Sequence, residues 1–242
     1  MTINRPHVMN ALHPPAHAEL EQIFDVFAAA PDLWIAVVTG AGNRSFCAGT
    51  DLKARAESGT DAHPPTGFAG LTHRFDLNKP IIAAVNGLAL GGGLEIVLAT
   101  DIVVAAENAE FGFPEPHVGL AATSGGVHRL VRQIPQKLAM DLLLTGRRIN
   151  AQQALEWGLI NQVVPAKELR NTVNQWVAAM LKSAPLALQA TKEIAYHNLD
   201  HPSLAAAIKA SYPAVVKMLA SRDAQEGVQA FTEKRPPRWE GL

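Results

Sequence analysis

The chain has 242 residues, of which 48% are hydrophobic and 18% charged, and its formal net charge is −1. Length and apolar content indicate one large globular domain, or one domain with an appendage. The near-zero charge excludes the basic surface on which nucleic-acid and anionic-membrane binders depend. A single cysteine, Cys47, excludes an intramolecular disulfide framework and a cysteine-rich metal site.

The start of the chain and its hydropathy predict a cytoplasmic protein. Residues 1–6 have neither the basic nor the apolar region of a secretory signal. No apolar run reaches the roughly 18 residues that a membrane span needs. We therefore expect a soluble protein with no nucleic-acid or membrane partner. Its nine histidines show no metal-ligand spacing, so we expect no metal.

The first two-thirds of the chain predict an α/β arrangement. Short apolar runs rich in β-branched residues are typical of buried strands, and here they alternate with segments of helical periodicity. The predicted strands are 34–39, 81–85, 102–106, 110–113 and 159–164, and the predicted helices are 20–30, 92–100, 126–131, 135–144 and 151–157. Residues 55–70 are rich in Gly, Pro, Thr and charge, which predicts a mobile surface loop.

Strand-like apolar runs end near residue 167, and the sequence after it is helical in pattern and rich in alanine. We expect residues 1–166 to form the core and residues 167–242 a helical appendage used for oligomerisation. Asp223 and Glu226 have the spacing of a capping box, which predicts a helix that ends near residue 233. Pro213 must kink or split the helix before it.

The segment 86–95 holds three consecutive glycines between a predicted strand and a predicted helix. Without Cβ atoms, such a turn lets a ligand approach the peptide N–H groups directly. The start of a helix also favours an anion or a developing oxyanion. Gly92 supplies such an N–H, and Glu95 adds a carboxylate in the first turn. The alternative is a tight turn in which Glu95 only complements the helix dipole.

A second glycine turn complements the first. Gly49 follows a predicted buried strand and a short glycine-rich turn, and it allows a sharp bend that would direct the N–H of Thr50 into a cleft. The N–H groups of Thr50 and Gly92 could then converge on one carbonyl oxygen. Two such donors would stabilise an oxyanion.

Glu115 is the other candidate acid or base. It lies between Pro114 and Pro116 in a stiff loop, next to the apolar Phe113. Desolvation there would raise the pKa of the carboxyl group and suit it to proton transfer near neutral pH. An ordinary exposed loop glutamate is the alternative. A helix followed by a returning strand could bring Glu115 to Glu95, and paired carboxylates can hold one water and divide acid and base work.

Taken in order along the chain, these motifs resemble those of the crotonase family, the enoyl-CoA hydratase/isomerase superfamily. The similar segments are 45–53, 80–95, 101–105, 111–119, 124–126, 144–149, 154–164 and 226–236. The resemblance implies a spiral of ββα units with C-terminal helices that build a homotrimer or a homohexamer. It implies a thioester oxyanion hole at the N–H groups of Thr50 and Gly92. The residues implied to line the coenzyme A site are Asn10, Ala11, Leu12, Ala48, Asp51, Leu52 and Lys53.

The resemblance also implies the reaction. Hydratases and dehydratases of the family carry glutamates at both positions, as this chain does at Glu95 and Glu115. We expect an enoyl-CoA hydratase or 3-hydroxyacyl-CoA dehydratase, with Glu115 moving the Cα proton and Glu95 activating water. No cofactor is expected beyond the coenzyme A of the substrate. Details at 124–127 and 146–148 are most similar to the carnitinyl-CoA dehydratase-like branch.

Two regions remain less defined by the resemblance. About one strand of the family pattern is missing before residues 2–6. The acyl pocket is expected between the loop 55–71 and the residues that follow Gly119, and neither has a composition that identifies the acyl group.

Other chemistries fit the residues less well. Ser124, with His117, His128 and Asp101 nearby in sequence, lacks the elbow motif of a serine hydrolase, and Ser124 is predicted to cap the next helix. Cys47 is expected in the core. The contiguous glycines do not match a dinucleotide-binding fingerprint. An acyl-CoA isomerase, a hydrolase or a non-catalytic acyl-CoA-binding protein of the same fold remain the alternatives.

Overall fold

The computed structural model describes residues 1–59 and 62–242, which divide into two compact units. The first unit comprises Met1–Phe27, Ala36–Arg74 and Ile81–Asn174, and the second comprises Ala28–Ile35, Phe75–Pro80 and Gln175–Leu242. Within the residues that are described, no helix is both long enough and apolar enough to cross a membrane.

Strands and helices alternate along the first unit. The strands are β1 (Thr2–Ile3), β2 (Ala36–Gly40), β3 (Ser45–Cys47), β4 (Ile81–Val85), β5 (Leu88–Leu90), β6 (Ile102–Ala106), β7 (Glu110–Gly112), β8 (Arg148–Asn150) and β9 (Gln162–Val164). The helices that begin in this unit are α1 (Pro14–Ala29), α2 (Leu52–Ser58), α3 (Gly92–Leu98), α4 (Gly126–Gln133), α5 (Gln136–Thr145), α6 (Ala151–Glu156) and α7 (Leu169–Met180).

The strands form two sheets in a repeating ββα pattern. One sheet has the order β1-β2-β4-β6-β9 with parallel neighbours throughout, and the other has the order β3-β5-β7-β8 with β8 antiparallel. Each of the pairs β2–β3, β4–β5 and β6–β7 gives one strand to each sheet and is followed by a helix. The expected ββα spiral is therefore confirmed.

The central strands of the first unit are apolar on both faces because both faces are buried in its core. Every residue of β4 is buried, and so are four of the five residues of β6. Helix α3 is buried along its whole length, including Glu95. Parallel strands covered on both sides need such continuous apolar runs, and these two strands have the bounds predicted from the sequence.

The prediction of a surface loop over 55–70 is wrong in two places. Residues 52–58 form α2, whose first turn is capped by the Asp51 carboxylate, which accepts the N–H of Ala54 at 3.1 Å. Phe68–Gly70 is a buried 3-10 turn. The part of the prediction that covers residues 60 and 61 lies outside the described residues.

The second unit is helical. It contains α8 (Pro185–His197), α9 (Leu204–Lys209), α10 (Pro213–Leu219) and α11 (Arg222–Glu233). The predicted break at Pro213 is confirmed, since α10 begins there. The predicted capping box is wrong, because Ser221 caps α11 by accepting the N–H of Ala224 at 3.1 Å. Asp223 is instead buried and accepts the N–H groups of Glu240 and Gly241.

Candidate active site

A cavity of about 370 Å³ in the first unit brings together the residues that the sequence indicates for chemistry. Thr50, Gly92, Glu95 and Glu115 all line it. The other lining residues are Ala48, Gly49, Leu52, Arg55, His63, Phe68, Gly91, Pro114, His117, Val118, Leu120, Ala121, Ala122, Thr123 and Ser124. The two segments expected to wall an acyl pocket, 55–71 and the residues after Gly119, therefore both reach this cavity.

Two backbone N–H groups without a protein acceptor belong to residues that line this cavity from neighbouring turns. Gly49 has a φ of +89° and approaches so closely that an added Cβ would lie 2.9 Å from the oxygen of Leu90 and 3.0 Å from the nitrogen of Gly92. The N–H groups of Thr50 and Gly92 donate no hydrogen bond within residues 1–59 and 62–242. Both are therefore available to an oxygen atom placed in the cavity.

The carboxylate of Glu95 is held at the wall of the cavity. The residue is 3% exposed, and its Oε1 accepts the N–H of Gly126 at 2.9 Å. Burial raises the pKa of Glu95 to about 7, and the nearby charge of Glu115 adds to this effect. Hydrogen bonds from the N–H groups of Gly126 and Ser124 favour the ionised form and partly offset it.

Glu115 is placed by the short 3-10 turn Glu115–Val118. Its Oε1 lies 2.6 Å from the position that a Cβ on Gly91 would take, and Gly91 has a φ of +54°, which favours glycine. Its Oε2 is buried and has no hydrogen-bond partner among the described residues. Burial raises the pKa of Glu115. The N–H of the same residue has a smaller, opposing effect. A carboxyl group whose pKa is raised in this way is suited to carry a proton near neutral pH.

Asn10 is buried and its side chain is fully engaged by the protein. Its Nδ2 donates to the carbonyl oxygens of Ala41 at 3.0 Å and Ser45 at 2.7 Å, and its Oδ1 accepts the N–H of Arg5 at 2.9 Å. The neighbouring Ala11 and Leu12 are also buried. The structure thus places these three residues beneath the loop that carries Thr50, outside the lining of the cavity.

The remaining residues proposed for coenzyme A divide into two groups. Ala48 and Leu52 line the cavity. Asp51 is buried, caps α2 and forms an ion pair with Arg5 at 3.0 Å. Lys53 is exposed and lies outside the lining. The backbone of Leu12 pairs with this loop, accepting the N–H of Asp51 and donating to the oxygen of Gly49, both at 2.8 Å.

The structure also shows which other residues reach the cavity. Ser124 and His117 line it, but Asp101 does not, since its carboxylate accepts the N–H of Ile81 at 2.7 Å at the end of β4. Ser124 does not cap α4, where Gly125 is the N-cap. Cys47 is buried as expected, and burial raises the pKa of its thiol to about 12.

Sequence reasoning missed two aromatic residues of the wall. Phe68 and His63 lie in the segment predicted as a loop, and both line the cavity. The signal that could have found Phe68 is the run Phe68-Ala69-Gly70-Leu71, which is the most apolar part of an otherwise polar segment.

Comparison with known proteins agrees with the fold and identifies the family. The model of the family described as enoyl-CoA hydratase/isomerase matches residues 1–242. The chain is 45% identical over 245 residues to the carnitinyl-CoA dehydratase of Proteus mirabilis, covering 99% of this chain and 93% of that protein.

Solved structures are similar over the full length of the chain. A probable enoyl-CoA hydratase/isomerase from Mycobacterium abscessus has a TM-score of 0.91 and 40% identity, and a carnitinyl-CoA hydratase from Mycobacterium avium has 0.78 and 42%. Each alignment covers 100% of this chain and 94% of the other. The chain therefore belongs to the enoyl-CoA hydratase/isomerase family, the crotonase superfamily.

Proposed function

We propose that this protein is a hydro-lyase that adds water to, or eliminates it from, the Cα–Cβ bond of an acyl-CoA thioester. One observation carries the proposal: two carboxyl groups with raised pKa values line the same cavity as two unpaired backbone N–H groups. A binding protein gains nothing from burying two carboxyl groups and bears the cost of their desolvation. An acid–base catalyst needs both.

The thioester oxygen is the group that the two N–H donors suit. When water adds to Cβ, negative charge develops on this oxygen as an enolate. Thr50 and Gly92 would each donate one hydrogen bond to it, and such preorganised donors act most strongly where charge develops during the reaction. Removal of one donor of this kind typically costs about 3 kcal/mol in the barrier.

The two glutamates would divide the proton transfers. In hydration, ionised Glu95 takes a proton from water while the water oxygen bonds to Cβ. Protonated Glu115 gives a proton to Cα. In dehydration the same atoms move in reverse, so Glu115 takes the Cα proton and Glu95 protonates the leaving hydroxyl group. Two interacting carboxyl groups with raised pKa values readily hold one proton between them near neutral pH.

The remaining proposed site residues would bind or support the coenzyme A portion. Ala48 and Leu52 line the cavity and would contact the substrate, and exposed Lys53 would meet a phosphate. Asn10, Ala11, Leu12 and Asp51 would act indirectly by holding the loop of Thr50. The acyl group to test first is carnitinyl, since the Proteus mirabilis relative is named a carnitinyl-CoA dehydratase.

We further propose that the second unit mediates assembly into a homotrimer or homohexamer. Its helices α9 and α11 expose large apolar side chains, among them Leu204, Ile208, Val228 and Phe231, each at least 70% exposed. Such exposure favours an interface over contact with water. Sedimentation analysis of the purified protein would show a trimer or hexamer, and a monomer at all concentrations would contradict this proposal.

The activity is tested by mass spectrometry on a panel of acyl-CoA esters that includes crotonyl-CoA and carnitinyl-CoA. Gain or loss of one water supports a hydro-lyase. An unchanged mass with a moved double bond indicates an isomerase, and release of free coenzyme A indicates a hydrolase. Binding without any turnover would indicate an acyl-CoA-binding protein and would overturn the proposal.

A further inference from the structure

His17, in the first turn of α1, is a buried histidine that takes no part in the chemistry proposed above. It is fully buried, and its Nδ1 accepts the N–H of Ala69 at 3.0 Å. Because Nδ1 accepts a hydrogen bond, the ring is neutral and its proton lies on Nε2. Nε2 itself is buried without a partner in the described part of the chain. Burying an unpaired N–H is costly, so other interactions of the ring must offset this cost.

The peptide that His17 holds has an unusual conformation. Ala69 has a φ of +56°, in the left-handed region that residues with a Cβ rarely adopt. Such a conformation persists only where the surroundings fix it. Two side chains fix this one: His17 accepts the N–H of Ala69, and the buried Thr72 hydroxyl accepts the N–H of Phe68 at 2.9 Å.

This turn directs Phe68 at the proposed oxyanion donor. The Phe68 ring packs directly on the Cα of Gly92, where any added Cβ would collide with it. The ring of His17 contacts Phe68 edge-on, with the ring centroids 4.5 Å apart and the planes at 69°. A continuous series of contacts therefore joins His17 to Gly92, through the backbone of Ala69 and through the ring of Phe68.

We propose that His17 is a positioning residue for the oxyanion hole. By fixing the turn at Ala69, it holds Phe68 against Gly92, which orients the Gly92 N–H and keeps water away from it. This inference rests on the proposed function, because it assigns His17 to the stabilisation of the thioester oxygen. Small displacements of a catalytic donor are costly: a misplacement of about 1 Å can lower the rate roughly 100-fold.

Only the neutral ring can accept the N–H of Ala69 at Nδ1, and its surroundings keep the ring neutral. Burial, with smaller contributions from the neighbouring His63 and His13, lowers the pKa of His17 to about 4. Charged groups near this turn have partners other than His17, among them Arg129, which donates to the oxygen of Thr72 at 2.7 Å. The Glu21 carboxylate accepts the hydroxyl of Thr66 at 2.6 Å, and Arg74 donates to the oxygen of Gly70 at 2.6 Å and pairs with Asp25.

The test compares His17→Leu, which removes the acceptor, with His17→Asn, whose Oδ1 can replace Nδ1 as acceptor and cannot titrate. Phe24→Leu is the matched control, because it removes buried volume from the same face of α1 about two turns away from His17. Turnover of one enoyl-CoA ester is measured with each folded variant. We expect His17→Leu to lower kcat at least 10-fold with little change in KM, and His17→Asn to restore most of kcat. Phe24→Leu should keep kcat near that of the wild type.

Hydrogen exchange at the Ala69 amide gives a second readout. This amide should be protected in the wild type and in His17→Asn, and should exchange faster in His17→Leu. The inference is overturned if His17→Leu keeps the wild-type kcat, or if the Leu and Asn variants lose kcat equally. A wild-type protein inactive on the whole panel would refute the proposed function, and the positioning role with it. An active wild type whose His17 variants do not show the expected changes in kcat would refute only the role of His17.

Discussion

Oε1 of Glu95 accepts a hydrogen bond from the peptide N–H of Gly126 at 2.9 Å. Glu115 has no equivalent, because its buried Oε2 has no partner in the described chain. A donor stabilises the ionised form of a carboxyl group, and its absence favours the protonated form. Burial nevertheless raises the pKa of both groups, so the proposed roles, Glu95 as the base toward water and Glu115 as the acid toward Cα during hydration, follow the family resemblance.

Replacement of either glutamate by glutamine should abolish most turnover and leave binding intact. Glutamine keeps the size of the side chain but cannot transfer a proton, and such transfers typically contribute about 100- to 10,000-fold in rate. We expect Glu95→Gln and Glu115→Gln each to lose kcat within that range. Steady-state kinetics and direct titration with a CoA ester measure the two effects.

Glu110→Gln is the matched control for these variants. Glu110 lies on β7 and pairs with Arg148 through a half-exposed contact at 3.2 Å, so its replacement should leave kcat unchanged. If Glu115→Gln were to retain the wild-type rate, Glu115 would have to be removed from the mechanism.

The raised pKa of Glu95 should make stability depend on pH in a defined direction. In the folded protein the carboxyl group keeps its proton up to about pH 7, whereas the unfolded chain loses it near pH 4.5. Between these values the folded state binds more protons, so the free energy of unfolding falls as pH rises. A difference of this size between the folded and unfolded pKa values corresponds to a loss of roughly 3 kcal/mol in the free energy of unfolding.

Glu95→Gln should remove this contribution and leave that of Glu115, whose pKa burial also raises. Urea unfolding at several pH values between 5 and 8, at about 25 °C, measures it for both proteins. We expect the variant to be more stable than the wild type at the upper end of this range. Parallel curves for the two proteins would show that Glu95 has an ordinary pKa.

Gly93→Ala should prevent or severely impair folding. An added Cβ would overlap the backbone oxygen of Cys47, which belongs to β3 and cannot move aside as a flexible side chain would. Gly227→Ala is the matched control, because the Cβ at that position in α11 would lie 3.3 Å from the ring of Trp239. Alanine is favoured over glycine within a helix by about 1 kcal/mol. Thermal unfolding should therefore show a large loss for Gly93→Ala and little change or a gain for Gly227→Ala.

Asn10→Ala should lower stability rather than substrate affinity. The substitution leaves the N–H of Arg5 and the oxygen of Ala41 without this partner, while the oxygen of Ser45 keeps the Asn86 amide at 3.3 Å. Each buried polar group left unpaired costs about 1–3 kcal/mol, so we expect a loss of at least about 2 kcal/mol in unfolding free energy. If KM were to rise while the unfolding curve stayed unchanged, Asn10 would contact coenzyme A directly.

The parts of the fold that the sequence predicts well are those set by local apolar pattern. Strands β4 and β6 have the predicted bounds because buried parallel strands need uninterrupted apolar runs. The four residues proposed for chemistry line one cavity. Glycine-rich turns place Thr50 and Gly92 there, the first turn of α3 places Glu95, and a short 3-10 turn places Glu115.

The features that the sequence did not predict depend on contacts between distant residues. Asp223 has the right spacing for a capping box, yet it binds the backbone of residues 240 and 241, and Ser221 caps the helix. Likewise, nothing local indicates that His17 meets Ala69, since 52 residues separate them in sequence. Helix α2 was not predicted either, because the composition of the segment 55–70 is dominated by the polar residues that follow the helix.

The most direct test of the account is the hydration of crotonyl-CoA in ¹⁸O-labelled water, with product analysis by mass spectrometry. We predict a 3-hydroxyacyl-CoA that carries one labelled oxygen with the wild type. Glu115→Gln should give almost none of it, although it binds the ester. A wild-type protein that binds crotonyl-CoA and the other esters of the panel without incorporating the label or eliminating water would contradict the central claim.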